Sequence, residues 1–349
     1  MNYTPPRRSD GTIQHLRAQQ PWSPDRPFRI LSIDGGGICG VLPASILAEI
    51  EGRFLGGKSI ASHFDMITGT STGGLIAMGL ASGLTGKGLH DFYVERGPNI
   101  FPTNKGMAGA ARGLFKKAKR TVAAVYDADT LEQELLRVFD HKLFGEATTR
   151  LCIPSFEGRH GEPWIFKTPH HPDYKKDRSE KMVRVGRATS AAPTYFRSLK
   201  DLGYELIDGG LWANNPIMIG LVDALACFDI DRRQVQILSL GCGESSFQVT
   251  EDRSAGGMWQ WRDALRGAMR AQSLNALGQA FLLVGKDQVM RLDAPESPNP
   301  IAMDDSDRAI AELPNMARSL VEGGGHRIRE MFLGTEAEPY VPCPISIYP

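Results

Sequence analysis

A serine flanked by glycines, Gly69-Thr-Ser-Thr-Gly73, stands where one apolar run (Phe64 to Thr68) gives way to another (Gly74 to Ala81). The pattern predicts a strand, a sharp turn and a helix, with the Ser71 hydroxyl exposed at the turn, which is the sequence form of a nucleophile elbow. A hydroxyl is a poor nucleophile at neutral pH, so Ser71 needs a base, and the oxygen of an attacked carbonyl needs hydrogen-bond donors. Two further motifs supply candidates. Asp34-Gly-Gly-Gly-Ile-Cys-Gly40 ends an earlier apolar run. The backbone amides of Gly36 and Gly37 are candidate donors, because glycine allows close approach and positive φ. The helix expected after Gly40 adds the positive end of its dipole. Asp208-Gly209-Gly210 places a carboxylate at the end of a later strand without a bulky neighbour, making Asp208 the candidate base. None of the three motifs contains a histidine, so the residues favour a Ser–Asp pair.

Other chemistries fit less well. Gly35, Gly37 and Gly40 also match the GxGxxG dinucleotide fingerprint, but Asp34 would set negative charge against a pyrophosphate, and the Ser71 elbow has no role there. In a Ser–Asp–His triad of α/β-hydrolase order the histidine comes last. His326, after Gly323-Gly-Gly325, is the histidine beyond Asp208 and the rival base. His170 and His171, between Pro169 and Pro172, read as loop residues with a packing or rim role.

The elements needed to position these residues are legible as strand–glycine-turn–helix units. Strands are expected at Phe28 to Ile33, around Phe64 to Thr68, Leu151 to Pro154, Trp164 to Lys167, Glu205 to Ile207, Gln236 to Leu240 and Gln288 to Leu292. Helices are expected at Val41 to Phe54, Gly74 to Ala81, Gly88 to Glu95, Thr130 to Phe139 and Pro216 to Phe228, with a mostly helical chain after Gly257. This order implies an α/β fold with a largely parallel sheet. The motifs run from residue 34 to 210, so one domain must hold all of them, and the expected division is a loose arm at 1–27 and a catalytic domain at 28–349.

Composition narrows the rest. With 349 residues and 42% hydrophobic content the chain can bury a substantial core, and 40 basic against 40 acidic residues give no global field for a nucleic-acid polymer. Five dispersed cysteines without a CxxC pair argue against a disulfide framework or a zinc site and suit a reducing cytoplasm. No run approaches the roughly 20 apolar residues that span a bilayer. Membrane contact is therefore expected to be peripheral, and one stretch is suited to it. Over 104–126, Met107, Ala111, Leu114, Ala118, Val122 and Val125 share one helical face, while Lys105, Arg112, Lys116, Lys119 and Arg120 share the other. A basic amphipathic helix reads as a membrane-surface element or lid, and equally as an ordinary helix packed on the domain.

The three motifs together resemble those of the patatin-like phospholipases, lipid acyl hydrolases with a Ser–Asp dyad. The match covers Asp34 to Gly40, Gly69 to Gly73 and Asp208 to Gly210. Stretches such as Glu95-Arg-Gly-Pro-Asn-Ile-Phe101 and Thr189-Ser-Ala-Ala-Pro-Thr-Tyr-Phe196 are similar to the bacterial branch, and within it to the cyclic-nucleotide-activated effectors of anti-phage defence. The resemblance implies a patatin-like three-layer fold with a helical C-terminal portion. It implies Ser71 as nucleophile, Asp208 as base and Gly35, Gly36 and Gly37 as the oxyanion loop. It also implies a membrane phospholipid substrate met at the inner face of the cell membrane, a cyclic-nucleotide activator, and no metal or cofactor, and it admits a homo-oligomer. Cys39 departs from the family pattern, which usually has a basic residue there, and puts any anion contact or ion pair of that side chain in doubt.

Overall fold

The computed structural model describes residues 5–8, 17–102, 125–243, 247, 264–297 and 299–344. β1 (Phe28–Ile33) leads through a 3-10 turn at Gly37–Gly40 into α1 (Val41–Phe54). β2 (Met66–Gly69) leads into α2 (Thr72–Ala81), followed by α3 (Gly86–Ile100) and α4 (Ala128–Phe139). Next come β3 (Arg150–Glu157), β4 (Glu162–Lys167), α5 (Met182–Thr189), β5 (Leu199–Asp201) and β6 (Tyr204–Asp208). The last part holds α6 (Gly210–Ala213), α7 (Ile217–Cys227), β7 (Val235–Leu240), α8 (Ala264–Val284), β8 (Val289–Leu292) and α9 (Ser306–Phe332).

These strands form one sheet in the order β5-β6-β3-β2-β1-β7-β8, with β4 also paired to β3. The run β3-β2-β1-β7-β8 is parallel throughout, whereas the β3–β4, β3–β6 and β5–β6 pairs are antiparallel. Successive strand residues point to opposite faces, and β1 shows the consequence. Leu31 and Ile33 enter a core with residues of α1, α2, α3 and α9, such as Leu42, Ile76, Leu89 and Val321. Phe28 and Ile30 enter a second core with Ile217 and Leu221 of α7 and Ala276 and Ala280 of α8. Helices on both faces of a mostly parallel sheet make the expected three layers. Burial on both faces is why β1 and β7 read as nearly unbroken apolar runs.

Two expectations need amendment. The arm at 1–27 is not loose where it is described. Trp22 packs on Phe28 and Phe228 with ring centroids 4.7 and 5.5 Å apart, Arg26 pairs with the buried Asp65 at 2.9 Å, and Gln20 exchanges backbone hydrogen bonds with Cys227 and Asp229. Arg8 lies over the Trp164 ring at 4.2 Å and pairs with Asp177. Prolines and charges concealed these anchors, because each partner lies far along the chain. The elements α5, β5 and α6 went unpredicted; β5 is three residues long and mostly polar, so it carries no periodic signal. The amphipathic stretch 104–126 falls, up to residue 124, outside the described residues.

Candidate active site

Strand register assembles the site at the C-terminal edge of the parallel strands, where open α/β sheets bind ligands. Ile33 of β1 lies opposite Gly69 of β2, so the glycine loop and the Ser71 turn leave the sheet side by side. Thr68 of β2 opposes Cys152 of β3, and Ser155 of β3 opposes Asp208 of β6. Asp208 therefore lies as far beyond Cys152 as Ser71 lies beyond Thr68, and the two meet across the end of β2.

The turn at Ser71 is strained. Its φ of 53° and ψ of −121° lie in a region that side chains rarely adopt, at a cost of about 1–3 kcal/mol. Its surroundings hold it there. The Ser71 amide donates to Thr189 Oγ1 at 3.0 Å, and that hydroxyl donates to the Pro154 carbonyl at 2.6 Å. Gly69 and Gly73 let the turn close on itself: a Cβ on Gly69 would lie 2.1 Å from the Gly73 oxygen, and one on Gly73 would lie 2.2 Å from the Ile33 oxygen. Ser71 also precedes the first turn of α2, where the helix dipole favours negative charge.

Asp208 is 5% exposed, accepts a hydrogen bond from the Gly210 amide at 2.7 Å, and faces the Ser71 hydroxyl. Burial pushes its pKa up from 3.8 to about 6, and the Ser71 hydroxyl and Gly210 amide only partly offset that. At neutral pH most of the carboxylate is ionised yet basic enough to take a proton. Gly209 packs beneath it, where a Cβ would lie 2.6 Å from the Pro154 oxygen.

The glycine loop is anchored from both ends. Asp34, 3% exposed, holds Arg291 of β8 in a two-pronged ion pair of 3.0 and 2.7 Å, and Arg291 also reaches Asp293 at 2.6 Å. At the other end the Ile38 amide donates to the Met303 carbonyl at 3.0 Å. Gly37 has φ +59°, and a Cβ on it would lie 2.3 Å from the Met303 oxygen, so both its conformation and its space call for glycine. The Gly35 amide donates to the Asn214 carbonyl at 3.0 Å, which leaves Gly36 and Gly37 as the loop's candidate donors. Gly40 closes the loop against Thr72, whose hydroxyl bonds Tyr93. Cys39 is buried, with its thiol 3.8 Å from the Ile301 and Ala302 carbonyls, so the position holds neither an ion pair nor an anion contact.

The rival histidine is elsewhere. His326 is on the outer face of α9, its side chain 95% exposed, 3.6 Å from Glu330. His170 bonds Asp223 at 2.6 Å and His171 bonds the Ala18 carbonyl at 3.0 Å, both away from Ser71. Among the described residues, Cys152, His170 and Asp223 bring ligand atoms within 4.8 Å of one another. That group suits a closed ion network better than a cation, since the Lys167 ammonium already bonds Asp223 and burial holds the Cys152 thiol protonated. Sequence reasoning missed Arg291, Asn214 and the role of Thr189. A signal existed for Arg291, because it interrupts an otherwise apolar strand.

Comparison with known proteins places the chain in a family. Residues 31–221 match the family described as patatin-like phospholipase. A cGAMP-activated phospholipase of Escherichia coli is 38% identical over 62% of this chain and 63% of its own length. Another of Vibrio cholerae is 34% identical over 77% of this chain and 78% of its own, and a third of Pseudomonas aeruginosa is 32% identical over 68% and 69%. No helix among the described residues is long and apolar enough to cross a membrane. With a family match over more than half of its length, placed on the strands and loops that build the site, the chain belongs to the patatin-like phospholipases, a family of lipid acyl hydrolases.

Proposed function

We propose that the protein cleaves acyl esters of membrane phospholipids with Ser71 as nucleophile and Asp208 as its base, under the control of a cyclic nucleotide. The carrying observation is the placement of a strained, elbow-borne Ser71 beside a buried carboxylate whose pKa is raised to about 6. Asp208 takes the hydroxyl proton as Ser71 attacks the carbonyl carbon and returns it to the leaving alcohol. It then draws a proton from the water that releases the fatty acid. The amides of Gly36 and Gly37 hold the oxyanion, and loss of one such donor costs about 3–4 kcal/mol of transition-state stabilisation. Neither a metal nor a cofactor has a part in these steps. The cGAMP-activated relatives support nucleotide control, which in turn fits a cytoplasmic defence effector acting peripherally at the inner face of the membrane.

The test is hydrolysis of fluorogenic phospholipids by the wild type, Ser71→Ala, Asp208→Asn and His326→Ala, with and without cGAMP. The expected outcome is activity only with cGAMP, lost by at least about 10³-fold in the first two variants and unchanged in the third. The acid limb of kcat/KM should fall near pH 6, where Asp208 becomes protonated and can no longer accept. Constitutive activity would remove the nucleotide control and keep the dyad, whereas loss in His326→Ala with Asp208→Asn active would replace the dyad by a triad.

A further inference from the structure

Most of the bonds that shape the Ser71 turn run from backbone to backbone and do not depend on side chains. The Thr70 amide donates to the Ile33 carbonyl at 3.2 Å, the Gly73 amide to the Thr70 carbonyl at 2.8 Å, and the Leu75 amide to the Ser71 carbonyl at 3.0 Å. The Ser71 amide differs. It lies between the end of β2 at Gly69 and the start of α2 at Thr72, and its acceptor is the Thr189 hydroxyl at 3.0 Å. At Thr189, therefore, a single substitution reaches the backbone of the nucleophile itself.

Thr189 is built for that grip. It is fully buried at the end of α5, and its hydroxyl accepts from Ser71 while donating to the Pro154 carbonyl at 2.6 Å. Its methyl faces Gly74 of α2, where an added Cβ would lie 3.1 Å from Thr189 Cγ2. A β-branched side chain has few χ1 choices, and these contacts on both arms select one. The same stretch of chain also holds the base. Two residues on, the Ala191 carbonyl accepts the Asp208 amide at 3.1 Å. Nucleophile and base are thus both tied to residues 189–191, and of these two links the nucleophile's alone runs through a side chain. A residue held at φ 53° relaxes toward negative φ once released, which changes the direction of its Cα–Cβ bond relative to Asp208.

We infer that Thr189 is a positioning residue of the hydrolase, whose hydroxyl keeps the Ser71 turn in the strained conformation that aims the nucleophile. The inference rests on the reading of Ser71 as nucleophile. It also commits the Ser71 amide to Thr189, which leaves the oxyanion to the amides of the glycine loop.

The test compares two substitutions in the full chain that each keep one arm of the side chain. Thr189→Val keeps the shape and removes the hydroxyl, whereas Thr189→Ser keeps the hydroxyl and removes the methyl. Hydrolysis of a short-chain fluorogenic phospholipid is followed with cGAMP present. The kcat is expressed per active site titrated to completion with a fluorophosphonate, so a smaller folded fraction does not register. Thr189→Val is expected to lose about 10²-fold in kcat with KM unchanged, the cost of a displacement of about 1 Å among reacting groups. Thr189→Ser should keep the wild-type kcat. In both variants the acid limb of the pH profile should stay where the wild type has it, because a backbone carbonyl holds Asp208. Wild-type kcat in Thr189→Val, a loss confined to KM, equal losses in both variants, or an acid limb that moves would each overturn the inference. Ser71→Ala, run beside them, separates the two readings. Hydrolysis that survives in it removes the nucleophile, whereas its silence beside a wild-type rate in Thr189→Val removes only the positioning role.

Discussion

Asp208 and Asp223 are the same residue type at nearly the same burial, 5% and 3% exposed, and they are opposite in chemical character. Among the described residues, Asp208 ends a strand with the Ser71 hydroxyl and the Gly210 amide as its neutral partners, and burial carries its pKa to about 6. Asp223, on α7, feels the same burial, but His170 and Lys167 outweigh it and hold the carboxyl well below the usual carboxylate range. Tyr174 adds a hydrogen bond at 2.6 Å, and the Cys152 thiol lies at 3.5 Å. Burial alone therefore does not make a carboxylate reactive. A buried carboxylate held by a cation such as Lys167 is a structural anion, and one beside neutral partners keeps its affinity for a proton. The backbone differs in the same sense: Ser71 beside Asp208 has positive φ, and none of the residues around Asp223 does.

The comparison can be broken most decisively at the inert cluster. Asp223→Ala leaves Lys167 without its counter-ion and Tyr174 without its acceptor, and should destabilise the fold by about 3–5 kcal/mol in a urea titration. A loss below about 1 kcal/mol would mean that this network contributes little and that the contrast with Asp208 is overstated.

A smaller effect of opposite sign is expected at the reactive cluster. The folded-state pKa of Asp208 is raised, so its ionised form costs stability as pH rises through about 6, up to about 3 kcal/mol for the shift from 3.8. Asp208→Asn removes that cost. It should match or exceed the wild type in denaturant stability at pH 8, lose the advantage at pH 4, and be inactive at both. A variant markedly less stable at pH 8 would show that Asp208 is held like Asp223.

The smallest effect sharpens the backbone contrast. Ser71→Gly relieves the positive φ and Ser71→Ala does not, so the glycine variant should be more stable by about 1 kcal/mol although both lack the nucleophile. Equal melting temperatures would mean that the turn stores no strain.

Much of this molecule was legible along the chain. Gly69 to Gly73, Asp34 to Gly40 and Asp208 to Gly210 were readable because an elbow, a close backbone approach and a strand end are dictated by a few consecutive residues. The β1–α1 and β2–α2 units were readable because their apolar periodicity is local. Arg291 was invisible as the partner of Asp34, since 257 positions separate them and only the β1–β7–β8 register brings them together. The Gly35 amide is taken by the Asn214 carbonyl, a contact that no local pattern shows. His326 looked usable until α9 turned it outward, and Trp22 looked loose until Phe28 and Phe228 enclosed it.

The sequence by itself determined which residues can do chemistry here and the local backbone that presents them, because those depend on neighbours in the chain. Only the tertiary structure decided which carboxylate keeps a proton affinity near neutrality, which amides stay available and which histidine is excluded. Solvation, counter-charge and hydrogen-bond satisfaction are set by what lies across space, and no local pattern encodes them.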